Sequence, residues 1–177
     1  FCHTKHAAVA ARFLQQQSGE RVAVLDIDYH HGNGTQSLFY ERADVVYASI
    51  HADPLTDYPF YLGHADERGY GPGEGSNVNL PLARGASFGV WRDALAQATR
   101  VIADAGVDAL VVSLGVDTFE GDPISGFRLC SDDYLRVGED IAYARLPTVF
   151  VLEGGYAVDA IGVNVANVLE GYVACQS

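Results

Sequence analysis

Val22-Ala23-Val24-Leu25-Asp26-Ile27-Asp28-Tyr29-His30-His31-Gly32 sets an unbroken apolar run directly against a cluster of acids and imidazoles. A short apolar run of this kind reads as a buried strand, as found in parallel sheets. Side chains on extended backbone alternate with period two, so Asp26, Asp28 and His30 are expected on one side and Ile27, Tyr29 and His31 on the other. Two carboxylates and an imidazole suit a divalent cation acting as a Lewis acid; a closed structural zinc site is more usually built from cysteines. A plain polar turn is the alternative reading. The histidine at the third alternate position and further acids at other strand ends weigh against it.

Working outward, apolar runs alternate with helical patterns. Helices are expected over Ala7 to Gln17, Gln36 to Arg42, Ser87 to Ala105, Asp132 to Arg145 and Ala160 to Val173, with Ser87 as an N-cap and Gly106 as a stop. Strands are expected over Val22 to Ile27, Val45 to Ile50, Val78 to Leu80, Ala109 to Ser113 and Thr148 to Leu152. The alternation predicts an α/β fold, an open parallel sheet with helices on both faces. The chemically active residues fall just past the carboxyl ends of the strands, at Asp26 to His31, Ser49 and His51, Asp117, and Glu153 to Tyr156. Open α/β sheets bind ligands at that edge. No internal repeat or low-complexity segment is present.

The 177 residues fit one domain. A formal charge of −12 argues against nucleic-acid and other phosphate partners, which need clustered Lys and Arg, and favours cationic substrates. Cys2, Cys130 and Cys175 are odd in number and widely spaced, which signals neither a disulfide framework nor a thiolate metal site. No apolar run approaches the ~18 residues of a membrane span, and no signal-peptide pattern opens the chain. A cytoplasmic protein without membrane contact is expected. The chain has no Met and opens on Phe1, which leads us to expect that residues upstream belong to the functional unit.

Three ordered segments carry a family resemblance. Leu25-Asp26-Ile27-Asp28-Tyr29-His30-His31-Gly32-Asn33-Gly34-Thr35-Gln36 is the first, followed by Ser113-Leu114-Gly115-Val116-Asp117-Thr118-Phe119-Glu120-Gly121-Asp122-Pro123-Ile124-Ser125 and by Leu152-Glu153-Gly154-Gly155-Tyr156. Together they resemble the histone deacetylase superfamily, most closely its bacterial acetylpolyamine amidohydrolases, from about Ala7 to Tyr172. The resemblance implies an open sheet of arginase-deacetylase type and zinc-dependent hydrolysis of an acetamide to acetate and a free amine. It makes Asp28, His30 and Asp117 the ligands of one Zn2+, and moves Asp26 to a catalytic role behind them, orienting a histidine. Asn33 would stand beside a second catalytic histidine, and His31 would be a structural hydrogen-bonding residue. A monovalent cation, K+, is implied on the backbone carbonyls of Asp26, Asp28 and His30 and the hydroxyl of Ser49. Tyr156 would donate a hydrogen bond to the substrate carbonyl. Tyr58 would form an aromatic wall of the substrate tunnel, with Gly155 in the substrate-facing turn. Gly115 would allow close backbone approach to the metal loop; Asp122 would shape a turn, and Glu153 receives no catalytic role.

The family draws its general base and acid from two adjacent histidines in a segment upstream of the matched region. Residues 1–177 are therefore expected to form a single partial domain lacking the family's N-terminal portion. His3 and His6 are not adjacent, and read as surface residues rather than as a substitute pair. Two functions stay open: an amidohydrolase acting on small acetylated amines or acetyl-lysine, and a catalytically incompetent metal-binding fragment of one. The acidic composition favours polyamines within the first. A binuclear manganese ureohydrolase is disfavoured, because these motifs lack the additional bridging Asp and His ligands. An excised half-domain would expose apolar surface, so a homo-oligomer is expected in either case.

Overall fold

The computed structural model describes residues 5–18 and 21–176, so the expectations placed on Phe1, Cys2 and His3 lie outside the described residues. The elements run α1 (His6–Ser18), β1 (Val22–Asp26), α2 (Asn33–Phe39), β2 (Val45–Ala52), β3 (Asn77–Leu82), α3 (Phe88–Asp104), β4 (Ala109–Leu114), α4 (Asp133–Ala142), β5 (Thr148–Leu152) and α5 (Val158–Ala174). The strands form one parallel sheet in the order β3-β2-β1-β4-β5.

Alternation along the strands builds two cores. Ala23 and Leu25 of β1 face the same way as Ala48, Ile50, Leu110 and Val112, and are covered by Trp91 and Leu95 of α3 and by Val137 and Ile141 of α4. Val22 and Val24 face the other way with Val45 and Val111, under Ala7, Ala8 and Ala11 of α1 and Phe39 of α2. Helices thus cover both faces. A fully buried Val or Leu contributes about 1.5–3 kcal/mol. β1 carries three of them between two neighbouring strands, which makes it a rigid base for the loop that follows. α4 and α5 cross closely at Gly138 and Gly171, where an added Cβ would lie 2.0 Å from a carbonyl oxygen of the facing helix.

The element boundaries shift for identifiable reasons. β1 ends at Asp26 rather than Ile27: the Ile27 N–H still donates to the Ser113 carbonyl at 3.0 Å, but the chain bends through residues 28–30. α2 starts at Asn33, ahead of the expected Gln36, because the Gln36 N–H reaches the Gly32 carbonyl at 3.0 Å and closes a first turn that the Gly-Asn-Gly composition conceals. Ser87 holds the N-cap position of α3 with its backbone; its carbonyl accepts the Trp91 N–H, while its side chain makes no capping bond. Gly106 follows α3 at φ +62°, the left-handed stop expected of it.

In register, Asp26 lies level with Ser49 of β2 and Ser113 of β4, so the loops after β1, β2 and β4 leave the sheet at one edge. β5 has one strand neighbour in the described sheet, and Val149 and Leu152 are exposed along it. α5 likewise leaves Val158, Val163 and Val173 exposed. Among the described residues, no helix is long and apolar enough to cross a membrane.

Candidate metal centre

Past Asp26, Ile27 and Tyr29 still pack into the core, while Asp28 and His30 turn to the sheet edge and meet Asp117 from the loop after β4. One ligand atom from each of the three lies within 4.8 Å of the others. Backbone amides aim the carboxylates. The His30 N–H donates to Asp28 Oδ1 at 2.8 Å, the Gly154 N–H to Asp28 Oδ2 at 2.8 Å, and the Tyr29 N–H to Asp117 Oδ1 at 2.8 Å. His30 Nδ1 sits 3.1 Å from Asp117 Oδ2 and 3.7 Å from Asp28 Oδ1. The loops after β4 and β5 must close tightly on this group: a Cβ on Gly115 would stand 2.5 Å from Asp28 Oδ2, and one on Gly154 would stand 2.6 Å from Asp117 Oδ2.

Gathering these groups has an electrostatic cost. Burial, followed by the charge of Asp28, raises the pKa of Asp117. Burial alone would lower that of His30, but its hydrogen bonds to Asp117 and Asp28 raise it to about 9. The pair therefore retains a proton across neutral pH, and a divalent cation must displace it. Two carboxylate oxygens and one imidazole nitrogen, with a cleft on the remaining side, fit an open zinc-type site. Affinity for Zn2+ is accordingly expected to climb as pH rises from 6 towards 9, with net proton release on binding. Calorimetric titrations in buffers of different ionisation enthalpy measure both.

Asp26 does not join the cluster, which corrects the expectation of three convergent ligands from one strand end. Its Oδ2 accepts the Tyr47 hydroxyl at 2.9 Å and its Oδ1 accepts the Asp28 N–H at 3.2 Å. The strand stops at Asp26 and the chain bends through residues 28–30, so Asp26 stays against Tyr47 while Asp28 and His30 are carried to the sheet edge, and the third ligand comes from a different loop. Asp26 remains on the wall of a cleft of about 570 Å³, with Asp28, His30, Asn33, Tyr58 and Tyr156.

The other expected site residues take varied places. The ring of Tyr58 meets that of His30 edge-on, centroids 6.4 Å apart. Asn33 donates from its side-chain amide to the Tyr61 hydroxyl at 3.2 Å. His31 is buried, with Nε2 bonded to Gln36 Oε1 at 3.0 Å. Ser49 is buried beside Asp26, its hydroxyl 2.8 Å from His51 Nδ1. His51 Nε2 donates to the Gly63 carbonyl, which leaves Nδ1 to accept from Ser49; this neutral, buried imidazole has its pKa pushed down to about 3. Gly155 does not line the cleft; a Cβ there would run into Val116 at 2.7 Å, so its neighbours Gly154 and Tyr156 face the metal loop instead.

Two residues carry more than the sequence suggested. Asp122 is buried, and besides shaping its own turn through the Ile124 N–H it accepts the Tyr156 N–H at 2.7 Å and the Ala157 N–H at 3.3 Å. Asp57 accepts the Tyr29 hydroxyl at 3.1 Å and pairs with Arg84 at 3.1 Å, tying the loop that bears Tyr58 to the metal loop. Each acid sits in a turn-forming context, beside Pro123 or one residue from Tyr58-Pro59, so each reads locally as turn chemistry. Only the tertiary partners reveal the rest.

The sequence pattern of the histone deacetylase domain matches residues 1–172. The chain belongs to the histone deacetylase family. Acetylpolyamine amidohydrolase 1 of Pseudomonas aeruginosa is 58% identical to it over 172 residues, covering 97% of this chain and 50% of the relative. Acetylpolyamine amidohydrolase of Mycoplana ramosa is 52% identical over 171 residues, again 97% of this chain and 50% of the relative. The crystal structure of acetylpolyamine aminohydrolase from Burkholderia pseudomallei superposes with a TM-score of 0.95 at 43% identity, covering 98% of this chain and 51% of that one. A histone deacetylase homologue from Aquifex aeolicus superposes with a TM-score of 0.90 at 27% identity, covering 97% and 47%. The sheet is thus the arginase-deacetylase fold of this family, and the chain spans about half the length of the relatives it matches.

Proposed function

We propose that this chain carries the metal centre of a zinc-dependent amidohydrolase that removes acetyl groups from acetylated polyamines or from acetyl-lysine. The observation behind this reading is the meeting of Asp28, His30 and Asp117 at one sheet edge, on a cleft that Tyr156 also lines. The proposed ligands are those three residues. When bound, zinc supplies Lewis acidity to the acetamide carbonyl and to a water molecule. Tyr156 would donate a hydrogen bond from its hydroxyl to the carbonyl oxygen as negative charge develops there, and Tyr58 would pack against the alkyl chain. Asp26, Asn33, His31 and Ser49 support the ligand loop, with the backbone carbonyls of Asp26, Asp28 and His30 and the hydroxyl of Ser49 as a site for K+. The net charge of −12 favours a cationic polyamine over a nucleic acid or an anionic membrane surface. A cytoplasmic location and a single partial domain belong to the same reading.

The second reading is a chain that binds metal and lacks a base. Of the described histidines that line the cleft, His30 is a proposed ligand and His31 is bonded to Gln36. Release of acetate from a mono-acetylated diamine by the zinc-loaded chain, with and without added imidazole, separates the two. Zinc-dependent turnover without imidazole supports a working enzyme. Turnover only with imidazole supports a site whose base comes from elsewhere, and none under either condition removes the catalytic reading.

Exposed Val149 and Leu152 of β5 and Val158, Val163 and Val173 of α5 support self-association. Light scattering is expected to give a dimer or larger species at micromolar concentration. Val158→Lys with Val173→Lys should shift the protein to monomer without loss of zinc binding.

A further inference from the structure

We infer that Asp122 is a positioning residue that holds the Tyr156 phenol over the metal centre, an inference that rests on the metal-site reading above. One carboxylate oxygen of Asp122 accepts the Ile124 N–H at 3.1 Å, which shapes its own turn. The other accepts two successive amides of the facing loop, Tyr156 at 2.7 Å and Ala157 at 3.3 Å. Asp122 closes the loop that begins at Asp117, while Tyr156 lies two residues past Gly154, whose amide binds Asp28.

Further backbone bonds tie the same two loops together. The Val116 N–H donates to the Gly154 carbonyl at 2.8 Å, and the Glu153 N–H to the Leu114 carbonyl at 3.0 Å. Gly154 is therefore registered to the ligands directly, whereas the backbone N–H groups of Tyr156 and Ala157 donate to the Asp122 carboxylate. Ala157 occupies the N-cap position of α5 and makes no side-chain cap of its own. Asp122 brings a carboxylate from across the chain to that helix end, where negative charge is favoured. Asp122 is almost fully shielded from water, so its bonds compete little with solvent. The consequence is a phenol with its backbone anchored on both sides before any substrate arrives, which is what transition-state stabilisation by a hydrogen-bond donor requires.

The test uses the whole chain, loaded with zinc, and acetohydroxamate as a zinc-chelating probe whose carbonyl stands in for that of the acetamide. Zinc stoichiometry is measured first in the parent, Tyr156→Phe, Asp122→Ala, Asp122→Asn and the Tyr156→Phe/Asp122→Ala double variant. Retained stoichiometry shows that the fold and the ligands are intact; its absence in the parent would fail the metal reading, not the anchor. Amide hydrogen exchange, which needs no metal, is then expected to lose protection at Tyr156 and Ala157 in Asp122→Ala and to keep part of it in Asp122→Asn. Acetohydroxamate affinity should fall about tenfold in Tyr156→Phe, the worth of one hydrogen bond. It should fall by a similar factor in Asp122→Ala, and no further in the double variant. Unchanged exchange at Tyr156 and Ala157 would overturn the anchor. Multiplied losses in the double variant, or unchanged probe affinity in Asp122→Ala, would overturn the positioning role.

Discussion

Replacing Asp117 by asparagine is expected to abolish stoichiometric zinc binding while leaving the metal-free protein at least as stable as the parent. Asp117 is fully buried, its Oδ1 held by the Tyr29 amide and its Oδ2 beside His30 Nδ1. Asparagine keeps an acceptor for the Tyr29 amide but removes the charge that binds a cation. Residues that merely orient a ligand are worth about 10–100-fold in metal affinity, so loss of a ligand carboxylate should exceed about a hundredfold. Stability moves the other way because burial and the charge of Asp28 both disfavour an ionised Asp117 in the folded chain. Chelator-competition titration and chemical denaturation of the apo proteins read the two effects separately. Tight zinc binding by Asp117→Asn would remove Asp117 from the ligand set.

The second large effect belongs to Tyr156. Burial, then the charges of Asp28 and Asp117, raise the phenol's pKa, so it keeps its proton at neutral pH and can donate it. Loss of one donor to a developing oxyanion costs about 2.7–4 kcal/mol, or roughly 10²–10³ in kcat. Tyr156→Phe should show that fall with zinc stoichiometry unchanged, since the loop is fixed through backbone amides rather than through the hydroxyl. Steady-state kinetics on an acetylated diamine measures it. A kcat within threefold of the parent would exclude Tyr156 from the chemistry.

Much of this architecture is legible from local sequence. β1, β4 and β5 are apolar runs whose limits fall within one residue of expectation; β1 and β4 are buried between helices, and a parallel strand in that position is apolar along nearly its whole length. The ends of α2 are less legible, since Gly32, Asn33 and Gly34 give no helical signal and a single backbone bond to the Gly32 carbonyl starts the helix. Within the site, Asp28 and His30 stand out by spacing, yet period two also enlists Asp26, which stays on β1 against Tyr47 while the bend through residues 28–30 carries the other two to the sheet edge. That Asp117 completes the group depends on the β1–β4 register, which places Asp26 level with Ser113; spacing along one strand contains nothing of it. The resemblance to a known family supplied that pairing. Asp122 and Asp57 escaped both routes because their partners lie 34 and 28 positions away in sequence.

The central claim, one divalent cation held by Asp28, His30 and Asp117, is tested most directly by anomalous diffraction at the zinc absorption edge from crystals of the zinc-loaded protein. A single dominant peak within bonding distance of His30 Nδ1 and of one carboxylate oxygen from each of Asp28 and Asp117 is the predicted result. A peak held by other side chains, or none at those three residues with zinc in excess, would contradict it.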